Sequence, residues 1–120
     1  MKILITASDA ALDSALDPRF GRAPHFILVD TDSNQSEVID NQQNLNAAQG
    51  AGIQAAQNVC TAGADAIITG HVGPKAFRAL QAAGIRVYLS EDKTVQDALD
   101  SFRNGALAEA GAHNVKGHWV

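Results

Sequence analysis

The stretch RFGRAPHF, Arg19 to Phe26, places two arginines three residues apart on a connection stiffened by Pro24. A guanidinium stays charged and presents a planar fork of donors, a shape suited to anions rich in oxygen or sulfur. His25, beside Pro24, is a candidate ligand or proton donor. A second stretch, GHVGP (Gly70 to Pro74), has the makings of an anion cradle. Gly70 and Gly73 would let the backbone approach a ligand closely. Pro74 suits the first position of a helix whose N-terminal N–H groups face it. His71, between the glycines, is a candidate ligand or proton donor and the candidate for ligating a metal. QGAG, with Gly50 and Gly52, carries the same pattern more weakly. Each stretch also has a plain structural reading. The arginines could be loop residues paired with Asp13 or Asp17, and the glycines could mark ordinary strand-to-helix turns.

Other chemistry has less support. The single cysteine, Cys60, excludes a disulfide within the chain. It falls near Ile53 and Ala56 at helical spacing, so it is expected to pack as a small buried hydrophobe. His113 and His118 lie five apart in a glycine-containing tail, where a weak metal site and simple disorder are both open readings. No CxxC, HExxH, Walker or GxSxG pattern occurs.

These groups need elements to hold them. KILITA (Lys2 to Ala7) and HFILVD (His25 to Asp30) are apolar runs expected as strands, and EVID (Glu37 to Asp40) completes a hairpin after the turn formers TDSNQS. A helix is predicted from Ala51 to Ala62, closed by Gly63. DAIIT gives a buried strand, and a helix from Pro74 follows, with Phe77, Leu80 and Ala83 on its apolar side and Gly84 at its end. IRVYLS is the next strand. The last helix starts near Thr94, where Thr94 and Asp97 resemble a capping box, and ends at Gly105. Residues 106–120 are expected as a loosely held tail after one domain over residues 1–105. The order is βββαβαβα, an α/β chain with a mixed five-stranded sheet, helices on both faces and an expected strand order 3-2-1-4-5. Ligands in such sheets gather beyond the carboxyl ends of the parallel strands. RFGRAP and GHVGP should therefore meet at one rim, with QGAG near it.

A length of 120 residues suits one domain with a real core. With aromatics at 5%, that core must come from Ile, Val, Leu and Ala. The formal net charge of −4 lacks the basic footprint of a nucleic-acid binder. No run approaches the length of a membrane span, and the N-terminus does not read as a signal peptide. No nucleic acid, no membrane and a cytoplasmic setting are the expectations.

In order along the chain, MKILITAS, LDPRFGRAPHFILVD, GAGIQAAQ, ADAIITGHVGPKAFRAL and AGIRVYL resemble the dinitrogenase iron–molybdenum cofactor biosynthesis family over about residues 1 to 105. That family includes NifX-type cofactor carriers, the C-terminal domain of NifB and the small orange protein. The resemblance implies a ribonuclease H-like fold and a non-catalytic carrier of an anionic metal–sulfur cluster or its precursor. It implies molybdenum, with copper or iron, in a sulfide cluster, and cluster-assembly or ATPase proteins as partners. With one cysteine, a set of thiolates cannot hold such a cluster, and electrostatic capture by the arginines and backbone N–H groups is the expected mechanism.

Two other classes compete. A regulatory module binding a nucleotide or phosphate would use the same glycine-rich rim. A metal-dependent nuclease or phosphatase would need acidic residues around divalent ions, one of them in a central strand. Neither KILITA nor AIIT contains an acid, and Asp9 lies beyond the strand end.

Overall fold

The computed structural model describes residues 1–41 and 51–111. Three strands come first: β1 (Lys2–Ala7), β2 (His25–Asp30) and β3 (Ser36–Asp40). Then α1 (Ala51–Ala62), β4 (Ala66–Thr69), α2 (Pro74–Ala82), β5 (Arg86–Leu89) and α3 (Val95–Arg103) alternate. The sheet runs β3-β2-β1-β4-β5. β1 and β2 pair antiparallel, as do β2 and β3, whereas β4 lies parallel to both β1 and β5. This is the expected element order and strand order.

Alternation along β1 divides the core. Leu4 faces one layer with Phe26, Leu28, Ile67 and Val87, under Ala55, Ala56 and Val59 of α1 and Ala76, Phe77 and Leu80 of α2. Ile3, Ile5 and Ala7 face the other, with Ile27, Val29, Ala66 and Ile68, under Val95, Ala98 and Leu99 of α3. Strands buried on both sides need near-continuous apolar sequence, which is why KILITA and AIIT read as they do. Helices cover both faces.

Helix ends follow local chemistry. Gly63 and Gly84 take φ of 78° and 76° after α1 and α2, the left-handed conformation that glycine adopts without a Cβ penalty. The Thr94 side chain accepts a hydrogen bond from the Asp97 amide at 3.1 Å and caps α3. After α3 the chain runs back along the outer side of β5, where the Ala110 amide donates to the Val87 carbonyl at 2.7 Å. Residues 112–120, with His113 and His118, lie outside the described residues.

Candidate functional site

The site is built on one rim of the sheet. Ala7, at the carboxyl end of β1, pairs with His25 at the start of β2, and His25 pairs with Asp40 at the end of β3. β4 ends on the same rim at Thr69, next to Leu89 of β5. Because β4 and β5 leave and enter as parallel strands, α2 must begin at this rim and run away from it.

The arginine stretch forms a single 3-10 turn, Phe20–Arg22, which the sequence reading did not anticipate. Phe20 anchors it: its ring is buried in the α1/α2 layer and stacks on Phe26 with centroids 5.9 Å apart. With Phe20 driven inward, Arg19 and Arg22 flank the anchor at the surface, Arg19 exposed and Arg22 half-buried. Arg19 is held by Asp17. The Asp17 carboxylate accepts from the Arg19 amide at 2.9 Å, from Nε at 3.2 Å and from the terminal guanidinium nitrogen at 3.0 Å. The hydrogen bonds and charge of Asp17 hold the guanidinium proton more tightly than usual. Of the two acids considered as partners, Asp17 is the one used; Asp13 is exposed.

GHVGP meets this turn directly. The His71 amide donates to the Pro18 carbonyl at 2.6 Å, and the Phe20 amide donates to the His71 carbonyl at 3.3 Å. Gly70 makes the contact possible, since a Cβ there would lie 2.7 Å from the Pro18 Cβ and 2.8 Å from its Cα. His71 is exposed. Gly73 is the N-cap of α2, buried, at φ −80° and ψ 171°, an extended conformation that does not require glycine. Pro74 follows at the first helical position and no side chain caps the helix. The first bond of the helix runs from the Phe77 amide to the Gly73 carbonyl. The amides of Lys75 and Ala76 precede it and point towards the rim.

Gly52, in the first turn of α1, lies against α2: a Cβ there would come within 3.1 Å of the Ala76 Cβ. The contact joins the first turns of both helices and so brings two positive dipole ends together at the rim. Gly50 lies outside the described residues. His25 is half-buried, and its Nδ1 is buried with no hydrogen-bond partner among the described residues.

Several residues beneath the rim were missed by sequence reasoning. Thr6 and Thr69 are fully buried, 3.0 Å apart through their hydroxyls, and Thr6 Oγ1 donates to the Asp17 carbonyl at 2.6 Å. Asn41, also buried, donates from its side chain to the Ala23 carbonyl at 2.8 Å and accepts from Asn58 of α1 at 3.1 Å. A signal was present, because each threonine is the polar residue near the end of an otherwise apolar strand. One expectation is corrected: Cys60 is exposed, not packed in the core. The buried face of α1 is Ala55, Ala56 and Val59, with Ile53 40% exposed on the flank that Cys60 shares.

A cavity of about 720 Å³ opens beside the junction, between the ends of β4 and β5. Leu16, Leu89 and Leu107 line it together with Pro18, Gly70 and His71. Its outer wall is Ser90 to Lys93, where Ser90 Oγ donates to Asp92 at 2.6 Å.

The profile of the family described as dinitrogenase iron–molybdenum cofactor matches residues 1–105. The chain belongs to this family. Among solved structures, the apo form of the orange protein from Desulfovibrio gigas superposes with a TM-score of 0.92 at 44% identity, covering 95% of this chain and 96% of that one. A Thermotoga protein of NifB type superposes with a TM-score of 0.84 at 36% identity, covering 95% and 97%. An uncharacterised protein of Methanocaldococcus jannaschii is 30% identical over 98 residues, 79% of this chain and 82% of that one. Within the dinitrogenase iron–molybdenum cofactor family, this chain therefore shares nearly its whole described fold with a protein of the orange type.

Proposed function

We propose that this protein is a non-catalytic carrier of an anionic metal–sulfur cluster, of molybdenum–copper or iron–molybdenum type, or of a precursor of one. The ribonuclease H-like fold implied by the resemblance goes with this reading. The observation that carries it is the His71–Pro18 hydrogen bond of 2.6 Å, which locks the arginine turn to the start of α2. On this reading the guanidinium groups and the helix N-terminal amides address one ligand, and both favour an anion.

The residues present suit such a cargo. Arg19 and Arg22 supply charge, and the first turns of α1 and α2, apposed through Gly52 and Ala76, add N–H groups and dipole. His25 offers a buried ring nitrogen without a partner among the described residues, and His71 an exposed imidazole that could ligate a metal of the cluster. Gly70 and Gly73 keep the backbone bare at the junction, and Gly50 belongs to the same proposal through its neighbouring sequence. Cluster-assembly or ATPase proteins are the natural suppliers and acceptors.

No specific observation favours the nucleotide or phosphate module. For the nuclease or phosphatase, no group of three or more His, Cys, Asp or Glu side chains among the described residues is placed to hold a metal ion. Asp17, the buried acid of the rim, is committed to Arg19.

The test is purification without oxygen, followed by absorption spectroscopy and metal analysis. A visible charge-transfer band with stoichiometric molybdenum and copper or iron is expected. Colourless, metal-free protein that takes up no thiometalate on incubation would contradict the reading.

A further inference from the structure

We infer that Asp17 is a positioning residue that aims Arg19 at the anion, an inference that rests on the carrier reading above. Asp17 is 5% exposed although Pro18 and Arg19 beside it are both exposed. Its backbone is fixed on both sides, by its own amide donating to the Thr6 carbonyl at 3.0 Å and by Thr6 Oγ1 donating to its carbonyl at 2.6 Å. The carboxylate is thus a rigid platform rooted in β1.

Arg19 docks on that platform through one edge. Nε–H and one terminal N–H turn inwards to the carboxylate. Three N–H donors remain, one on the bonded terminal nitrogen and two on the other, at the outer end of the plane, and 60% of the side chain is exposed. A planar fork anchored on one edge presents the other in a fixed plane. The rotamer freedom of a long side chain is given up during folding and not on binding, which is the gain of preorganisation.

Electrostatics sharpens the point. A carboxylate beside an anion site opposes binding through its charge, and a buried one costs desolvation. If Asp17 acted only as a nearby negative charge, removing that charge would tighten anion binding. If it aims Arg19, removal weakens binding in spite of the added net positive charge. The two roles predict opposite signs.

The experiment titrates tetrathiomolybdate into wild type, Asp17→Asn, Arg19→Ala and the double variant, each checked for folding by circular dichroism. Asp17→Asn is expected to weaken binding about tenfold in the wild-type background and to tighten it slightly once Arg19 is Ala, where only the removed negative charge counts, a change of sign that marks two residues acting through each other. Tighter or unchanged binding in Asp17→Asn would overturn the inference, and so would an equal loss in both backgrounds. Arg19→Lys, which leaves Asp17 in place and keeps the charge but not the fork, should bind more weakly than wild type though better than Arg19→Ala. Wild-type affinity in Arg19→Lys would also overturn the inference. Absence of binding by wild type would overturn the carrier reading itself, and this is separable by NMR. An Arg19 Nε–H resonance protected in wild type and lost in Asp17→Asn supports the platform, and equal protection in both overturns it.

Discussion

Gly70 lies so close beneath Pro18 that a β-carbon on it would come within 2.7 Å of the proline Cβ. Backbone and ring, not the end of a flexible side chain, occupy that space, so the neighbour cannot swing away. Gly70→Ala must push the arginine turn off the end of β4 or distort both. Overpacking of this kind costs about 1–3 kcal/mol, readable as a lowered midpoint in thermal or denaturant unfolding. Affinity for an anionic cluster should fall with it, because the His71–Pro18 bond holds the two halves of the site together. Wild-type stability in Gly70→Ala would show that the junction is looser than its geometry indicates.

Cys60 gives a prediction of the opposite kind. An exposed thiol on α1 should react with a disulfide reagent in the folded protein at a rate near that of a free thiol. Cys60→Ser should change stability by no more than about 0.5 kcal/mol, as for surface substitutions generally. A thiol silent until the protein unfolds would return Cys60 to the core.

The order and spacing of elements were legible because each buried strand is a short apolar run and each helix ends on a glycine. The strand order followed from connection rules. Within the site, RFGRAP and GHVGP announced themselves by composition, and the topology made them meet. The inner face of α1 was not legible, because a helix with Ala at 55 and 56 gives little contrast between sides, and Ile53 drew the expected stripe one position round. The choice between Asp13 and Asp17 could not be made from spacing either. It depends on Phe20 being driven into the core, which bends the turn so that Arg19 folds back on Asp17.

Backbone cradle and imidazole ligation can be separated by two variants at the start of α2. Gly73 is the buried N-cap, so Gly73→Val puts a branched side chain at the start of α2, and the variant is compared only once circular dichroism shows it folded. His71→Ala leaves every backbone donor in place. With tetrathiomolybdate followed by absorbance, with and without copper, Gly73→Val should lose binding and His71→Ala should weaken it only in part. The reverse pattern would make His71 a metal ligand and remove the cradle.

The central claim is that the rim captures an anionic cluster by charge, and the arginines test it most directly. Arg22→Ala leaves the Asp17–Arg19 pair untouched, whereas Arg19→Ala leaves the buried Asp17 carboxylate without its guanidinium partner, for which a stability cost of about 1–3 kcal/mol is expected. The deciding measurement is the affinity of the folded Arg19→Ala/Arg22→Ala double variant for tetrathiomolybdate with copper, set against wild type in the same low-salt buffer. Retention should be abolished in the double variant while its circular dichroism stays that of wild type, and charge reversal to Glu at both positions should be worse than neutralisation. Affinity in the folded double variant equal to that of wild type would contradict electrostatic capture at this rim.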